Sequence, residues 1–346
     1  MAPSWWRPDR LAQRRAKLAA RGRILGAVRD FFAASDYAEV DTPALQVSPG
    51  LEPHLKAFAT VLHDPRDGIA RTRYLHTSPE FAMKKLVAGG MARIWQLAHA
   101  YRDGERSATH HPEFSMLEWY RAGAGYRDLM TECEALLRCV QAAARAEALR
   151  WRGRSADARQ GWQRLTVAEA FERHAGIDLL ATAPDPERPD AALLGAAATR
   201  IGIAPHPGDD WESLYFRIFL DRIEPNLGTP APTIIHDYPL ALAALSRSKP
   251  GDPRLAERFE LYVCGLELAN AFGELTDPAE QRRRFAADQM RKQALYGETY
   301  PVDEDFLAAL EHGLPECSGI ALGFDRLVML ATGADHIEEV LWAPVA

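Results

Sequence analysis

Neither glycine-rich signature that commonly marks a nucleotide site is present: the 346 residues contain no P-loop and no Rossmann fingerprint, so any nucleotide here is gripped another way. Cysteine is scarce. The four thiols, Cys133, Cys139, Cys264 and Cys317, form no CxxC pair, and Cys133 and Cys139 point in different directions on a predicted helix, which argues against a zinc site and a disulfide framework. No apolar run approaches the length of a membrane span, and the start at Trp5-Trp6-Arg7-Pro8 lacks the apolar core of a signal peptide. The expected location is the cytoplasm, with no membrane partner. Basic charge is not in excess: the formal net charge is -7, so the overall balance gives no reason to infer a nucleic-acid partner. What the chain has is 47% hydrophobic residues, ample for a buried core.

Apolar residues at Leu18, Ile24, Leu25, Val28, Phe31 and Phe32 predict a helix over about residues 11–35. It runs into YAEVDTP, residues 37–43, a short strand that Pro43 should end. RIWQLAHAYR and EFSMLEWYR, within residues 93–121, read as a hairpin joined by a polar loop with Asp103-Gly104. Further helices are predicted over about 126–148, within the Pro-, Asp- and Gly-rich stretch 181–210, over 211–223 and over 277–295, with strands between 232 and 276 and a strand-to-helix unit at 319–332. Clustered strands with flanking helices predict an α+β architecture, since a doubly wound fold would alternate the two regularly. The expected organisation is one domain over residues 1–346 with a helical insertion at 155–225.

Alternation along EFSMLEWYR puts Phe114, Met116, Glu118 and Tyr120 on one face and Glu113, Ser115, Leu117 and Trp119 on the other. An aromatic ring, a carboxylate and a phenol side by side suit a lined pocket, or else a half-buried sheet face whose polar groups are satisfied locally. In SGIALGFDRLVML the glycine-bearing strand is expected to stop at Asp325, an N-cap residue, with the helix opening at Arg326. A helix N-terminus beside an arginine favours an anion.

Taken in order, YAEVDTP after a long helix, YRDGERSATHHPEFSMLEWYR and GIALGFDRLVML resemble motifs 1, 2 and 3 of the class II aminoacyl-tRNA synthetases. TSPEFAMKKL, HPEFSMLEWY and ELANAFGELTD resemble the lysyl branch. The resemblance implies a catalytic domain with an antiparallel sheet flanked by helices, ATP as substrate with Mg2+, and a homodimer formed through motif 1. It implies that Arg102 and Arg326 are the catalytic clamp on ATP, with Asp103, Gly104, His111, Phe114, Glu267, Leu268 and Gly323 also at the nucleotide and Phe114 stacked on adenine. Glu260 and Glu267 match magnesium-binding carboxylates, which a turn near Gly265 should bring across from one another. Ser78, Pro79, Glu80, Glu118, Tyr120, Asn270, Glu274 and Ala321 match the lysine pocket. Carboxylates converging in a partly dry pocket repel one another unless paired, which implies a cationic ligand such as a diamino acid.

Lysyl-tRNA synthetases carry an anticodon-binding domain before motif 1, and here the motif 1 helix begins near residue 11. The expectation is therefore a chain without tRNA-reading equipment, similar to the elongation factor P (R)-β-lysine ligases, which transfer activated (R)-β-lysine to a lysine of elongation factor P. Ala321, where lysyl enzymes usually have glycine, points the same way. Alternatives at this level are a stand-alone lysyl-tRNA charging enzyme, a catalytically silent paralogue acting as a binding subunit, and an ammonia-dependent amide-forming relative. One departure from the lysyl pattern stands out. Arg102-Asp103-Gly104 replaces Arg-Asn-Glu, with Glu105 one place later, so either Glu105 or the loop backbone would have to serve the adenine.

Overall fold

The computed structural model describes residues 5–243 and 245–345. An eight-stranded sheet organises the chain, in the spatial order Ala38–Glu39, Arg93–Tyr101, Glu113–Ala122, Cys317–Gly323, Leu266–Gly273, Leu255–Val263, Thr233–Pro239, Gln163–Thr166. The six inner strands are antiparallel neighbours, and the short strand at each edge pairs in parallel. This is the expected α+β sheet.

One face of the sheet is sealed by helices Pro8–Ala34, Tyr126–Ala144 and Phe324–Thr332. Their apolar stripes meet the inward side chains of the strands: Ile24, Val28, Phe32, Leu129, Leu136 and Leu327 pack with Trp95, Leu117, Trp119 and Ile320. Phe32 stacks on Trp95 with ring centroids 4.9 Å apart. At opposite ends of the other face lie two separate apolar clusters. One gathers helices Glu80–Ala88, Pro278–Tyr296 and Glu304–Gly313 around Phe81, Phe285 and Phe306. The other gathers Val167–Ala175, Ala191–Arg200 and Trp211–Ile218 around Phe171, Tyr215 and Phe219. Between them part of the sheet is left without an apolar cover, and the site lies there.

Several boundaries differ from the sequence expectation for identifiable reasons. The strand after the first helix is only Ala38–Glu39, because Thr42 bonds through its N–H and hydroxyl to the Gln96 side chain instead of to a backbone. The segment 155–225 is not purely helical, since Gln163–Thr166 supplies the far edge strand and Ile235, Tyr238 and Tyr262 of the main sheet share its core. A three-stranded sheet, Leu45–Gln46, Ala59–His63 and Ala70–Leu75, had no predicted counterpart.

The capping role expected of Asp325 is corrected. The final helix starts at Phe324 with Gly323 before it, and Asp325 turns into the core, where it accepts from the Ser115 backbone N–H at 2.7 Å and pairs with Arg21. Arg21 also donates to Ser115 Oγ at 2.8 Å and lies over the Phe324 ring. One buried ion pair thus ties the first helix, the hairpin and the last helix together. Removing a single partner of such a pair strands the other charge, at a cost of about 3–5 kcal/mol. Asp325→Ala should lower the free energy of urea unfolding by about that amount, whereas an exposed acid such as Glu311 changed to Ala should shift it little.

Candidate active site

A cavity of about 410 Å³ opens on the uncovered part of the sheet, floored by Glu113–Ala122, Cys317–Gly323 and Leu266–Gly273. Alternation sends Leu117 and Trp119 into the core and Phe114, Met116 and Tyr120 to the cavity. On the closing strand it does the same with Gly319, Ala321 and Gly323 at the cavity. On Leu266–Gly273 a bulge intervenes. Leu261 faces Ala269 but Tyr262 faces Glu267, leaving Leu268 as the extra residue. That inserted residue lets Glu267 and Asn270, three apart, both reach the cavity, which uninterrupted alternation would forbid.

At one end of the cavity the acids gather. Glu118 is fully buried beneath the wall, accepting from Ser78 Oγ at 2.6 Å and Tyr120 OH at 2.9 Å. Burial, and then Glu80, push its carboxyl up to about 8, while Glu274 rises to about 7 through burial opposed by Lys84. Lys84, whose side chain has no exposed surface, sits between Glu80 and Glu274 and pairs with both. Although burial opposes it, those two carboxylates keep the Lys84 ammonium charged. The expectation that these acids stand unpaired until a cationic ligand arrives is therefore corrected in part. A cation of the protein's own already holds two of them, and a ligand would answer to the rest.

Ser78, Glu80, Tyr120, Asn270, Glu274 and Ala321 all line this cavity, whereas Pro79 lies behind it, in the turn that starts helix Glu80–Ala88. Gly319 is required by close approach. A Cβ there would come within 2.2 Å of the Tyr120 ring and 2.4 Å of the Glu274 carboxylate. Asn270 is oriented by Arg258, whose Nε donates to its side-chain oxygen at 3.2 Å. Its amide N–H groups remain as what it can offer a ligand.

The other end is cationic. Arg326 is held by three bonds, to the carbonyls of Thr109 at 3.1 Å and Glu267 at 2.9 Å and to His110 Nε2 at 2.7 Å. Burial and Arg326 together depress the His110 imidazolium, so His110 is a neutral acceptor there. Arg102 lies 5.1 Å above the Phe114 ring and 3.8 Å from Glu105, and its buried Nε has no partner among the described residues. Leu268 and Gly323 line the same space.

Three expectations at this end are corrected. Asp103 turns out to Lys56 at 2.9 Å, and neither it nor Gly104, which sits at φ +82° in the turn, reaches the cavity wall; Glu105 does. His111 borders the cavity but both its nitrogens are engaged, one with the Glu113 carbonyl at 2.6 Å and one by the Val345 N–H at 3.1 Å, so it has no donor left for a phosphate. Glu260 does not face Glu267: its strand partner is Asn270, and Tyr238, Tyr262 and Arg258 saturate its carboxylate at 2.6, 2.7 and 2.6 Å. Glu267 alone of the two lines the cavity, raised to about 7 by burial and by Glu260. Among the described residues no group of three or more acid, His or Cys side chains could hold a metal by itself.

Residues 6–345 match the tRNA synthetases class II (D, K and N). A Vibrio cholerae protein named elongation factor P--(R)-beta-lysine ligase is 40% identical over 329 residues, 95% of each chain. Proteins of the same name from Sodalis glossinidius and Pectobacterium atrosepticum are each 39% identical, over 94% of both chains and over 97% and 96% respectively.

The chain belongs to this family of class II ligases. No helix among its described residues is long and apolar enough to cross a membrane. Four cavity or near-cavity residues escaped the sequence reading: Glu52, Lys84, His110 and Arg258. Lys84 was legible in principle, since it stands one helical turn after Glu80 in TSPEFAMKKL.

Because the Glu118 carboxyl is raised in the folded state, the folded protein holds a proton that the unfolded chain releases in the ordinary glutamate range. Its contribution is favourable at low pH and is lost as pH climbs toward 8, with Glu274 adding in the same direction up to about 7. Glu118→Gln should flatten the fall in unfolding free energy between about pH 5 and 8 in the ligand-free protein. An unaltered slope would show that Glu118 is not the titrating group.

Proposed function

We propose that this chain activates (R)-β-lysine with ATP as an adenylate and transfers it to the ε-amino group of a lysine on elongation factor P. The observation that carries the proposal is the polarity of this cavity, acidic where a diamino acid would lie and arginine-lined where a nucleotide would lie. The relatives that match nearly end to end carry that activity in their names.

In the first step the amino acid's carboxylate, already ionised at neutral pH, attacks the α-phosphorus and pyrophosphate leaves, so no general base is needed. Arg102 and Arg326 neutralise charge that builds on the phosphates, Phe114 stacks the adenine, and Asn270 orients the amino acid. Because Arg326 is already fixed by three bonds, it acts without reorganisation. Glu267 would hold a magnesium ion, being a hard carboxylate in the cavity with no ion pair among the described residues, and such an ion would supply positive charge against that of the phosphates. Glu260 would act through Arg258 and not on the metal. Glu118, Glu80 and Glu274, with Ser78 and Tyr120, receive the substrate's ammonium groups, and Ala321 borders the place where α- and β-amino groups differ. The second step expels AMP as the acceptor amine attacks the carbonyl. A translation-factor acceptor sets the reaction in the cytoplasm, and pairing of two copies through helix Pro8–Ala34 belongs to the same reading.

The test offers labelled (R)-β-lysine or α-lysine with ATP, then elongation factor P or tRNA. Label should pass to elongation factor P, and more from (R)-β-lysine. Preferential labelling of tRNA would establish the stand-alone charging enzyme instead, and no pyrophosphate exchange with either amino acid would mean a silent paralogue. Arg326→Ala should reduce pyrophosphate exchange by about 10²-fold or more, as loss of a preorganised donor to developing charge does.

A further inference from the structure

The proposed transfer step has a requirement that the groups assigned so far do not meet. A lysine amine with a reference pKa near 10.4 is neutral in only about one molecule in 2,500 at pH 7, so something has to take its proton. At the acidic end, Glu118 is held by Ser78 and Tyr120, and Glu80 and Glu274 by Lys84. Glu52 differs. It lines the same cavity, yet its Oε2 is shielded from solvent and has no hydrogen-bond partner among the described residues.

Its surroundings are built. Lys292 donates to the carbonyls of Pro53 and Leu55 at 3.0 and 2.7 Å, and Tyr300 OH receives the Ala57 N–H at 2.9 Å, so the segment carrying Glu52 is anchored. On its far side Glu52 borders a second cavity, of about 10 Å³, together with Ser48 and His76. Both are almost wholly buried, and Ser48 Oγ and His76 Nδ1 also lack partners among the described residues. His76 Nε2 donates to the His99 carbonyl at 2.7 Å, which leaves Nδ1 as an acceptor. A space of this size with several polar walls suits one water, a route by which a proton leaves Glu52.

We propose that Glu52 accepts the proton from the acceptor lysine's ε-ammonium in the transfer step, a role that rests on the function proposed above. The neutral nitrogen then attacks the acyl carbon of the adenylate and a C–N bond forms. The bond from that carbon to the phosphate oxygen breaks, and AMP leaves with its electrons. The nitrogen's second proton goes to the departing phosphate. Burial and then Glu80 raise the proton affinity of Glu52, opposed by a hydrogen bond from its own backbone N–H and by Arg102 and Lys84; Asp288, itself raised to about 7, and Lys292 face it from helix Pro278–Tyr296. A stronger base is closer in affinity to the amine it serves.

The experiment compares Glu52→Gln with the unaltered enzyme in three assays: pyrophosphate exchange with (R)-β-lysine, transfer to elongation factor P across pH 6.5–9.5 (about the span below the free amine's pKa), and trapping of the adenylate by hydroxylamine, a nucleophile already neutral at pH 7. We expect the ratio of transfer to exchange to fall by about 10²-fold at pH 7. The deficit should shrink as pH rises, and hydroxylamine trapping should follow exchange. Glu52→Asp, which keeps a carboxylate, should recover part of the transfer rate. Equal losses in exchange and transfer, or a ratio unchanged at all pH values, would overturn the assignment. An unaltered enzyme that exchanges pyrophosphate but labels no protein lysine would overturn the function it rests on, and the assignment with it.

Discussion

The two-residue alternation of an antiparallel strand is the constraint on which the rest of this molecule depends. It lets one sheet carry Leu117, Trp119 and Ile320 into a dry core while Phe114, Tyr120, Gly319 and Ala321 line a cavity a few ångströms away. Three covering helices pay for the first face with apolar burial. On the second face no helix covers the centre, so charged groups are tolerated there. The single bulge at Leu268 is where alternation is broken, and it brings Glu267 and Asn270 to one side. A carboxylate and an amide on one strand face the same cavity for that reason.

Charge at the site is arranged by burial as much as by sign. Lys84, whose side chain has no exposed surface, pairs with both Glu80 and Glu274 and offsets part of their repulsion, so those acids stay close without a ligand. Glu118, with no lysine of its own, responds by holding its proton more tightly. At the other end Arg326 is fixed by neutral partners, two carbonyls and a neutral His110, which steady the guanidinium without cancelling its charge. A glutamate bonded directly to it would have competed with a phosphate. The same logic explains Glu260: saturated by two phenols and Arg258, it is a support for Arg258, which in turn sets Asn270.

Much of the fold could be read from the chain. The first helix, the hairpin, the helix after it and the last strand-to-helix unit each carry a clear period or turn, and the structure has them within a few residues. The small sheet around Ala59–His63 was not legible, because its outer strand is exposed along its length and shows no alternation of burial. Asp325 looked like a cap because aspartate commonly is one. That Arg21, some 300 positions earlier, would draw it inward is a tertiary fact. The resemblance to motif 2 placed Asp103 and Gly104 at the nucleotide, and a motif does not show Lys56 reaching across to Asp103.

By itself the sequence determined the class of fold, the order of its motifs and the chemical types brought to the site, since periodicity and residue identity are local properties of the chain. Only the tertiary structure decided which of those groups are spent on one another. Whether a carboxylate is without an ion-pair partner among the described residues, as at Glu267 and Glu52, or engaged, as at Glu260, Glu274 and Asp325, depends on partners from distant segments and on the exclusion of water. Both arise when the sheet closes, because a buried charge is stable only where the packed chain supplies its counterpart.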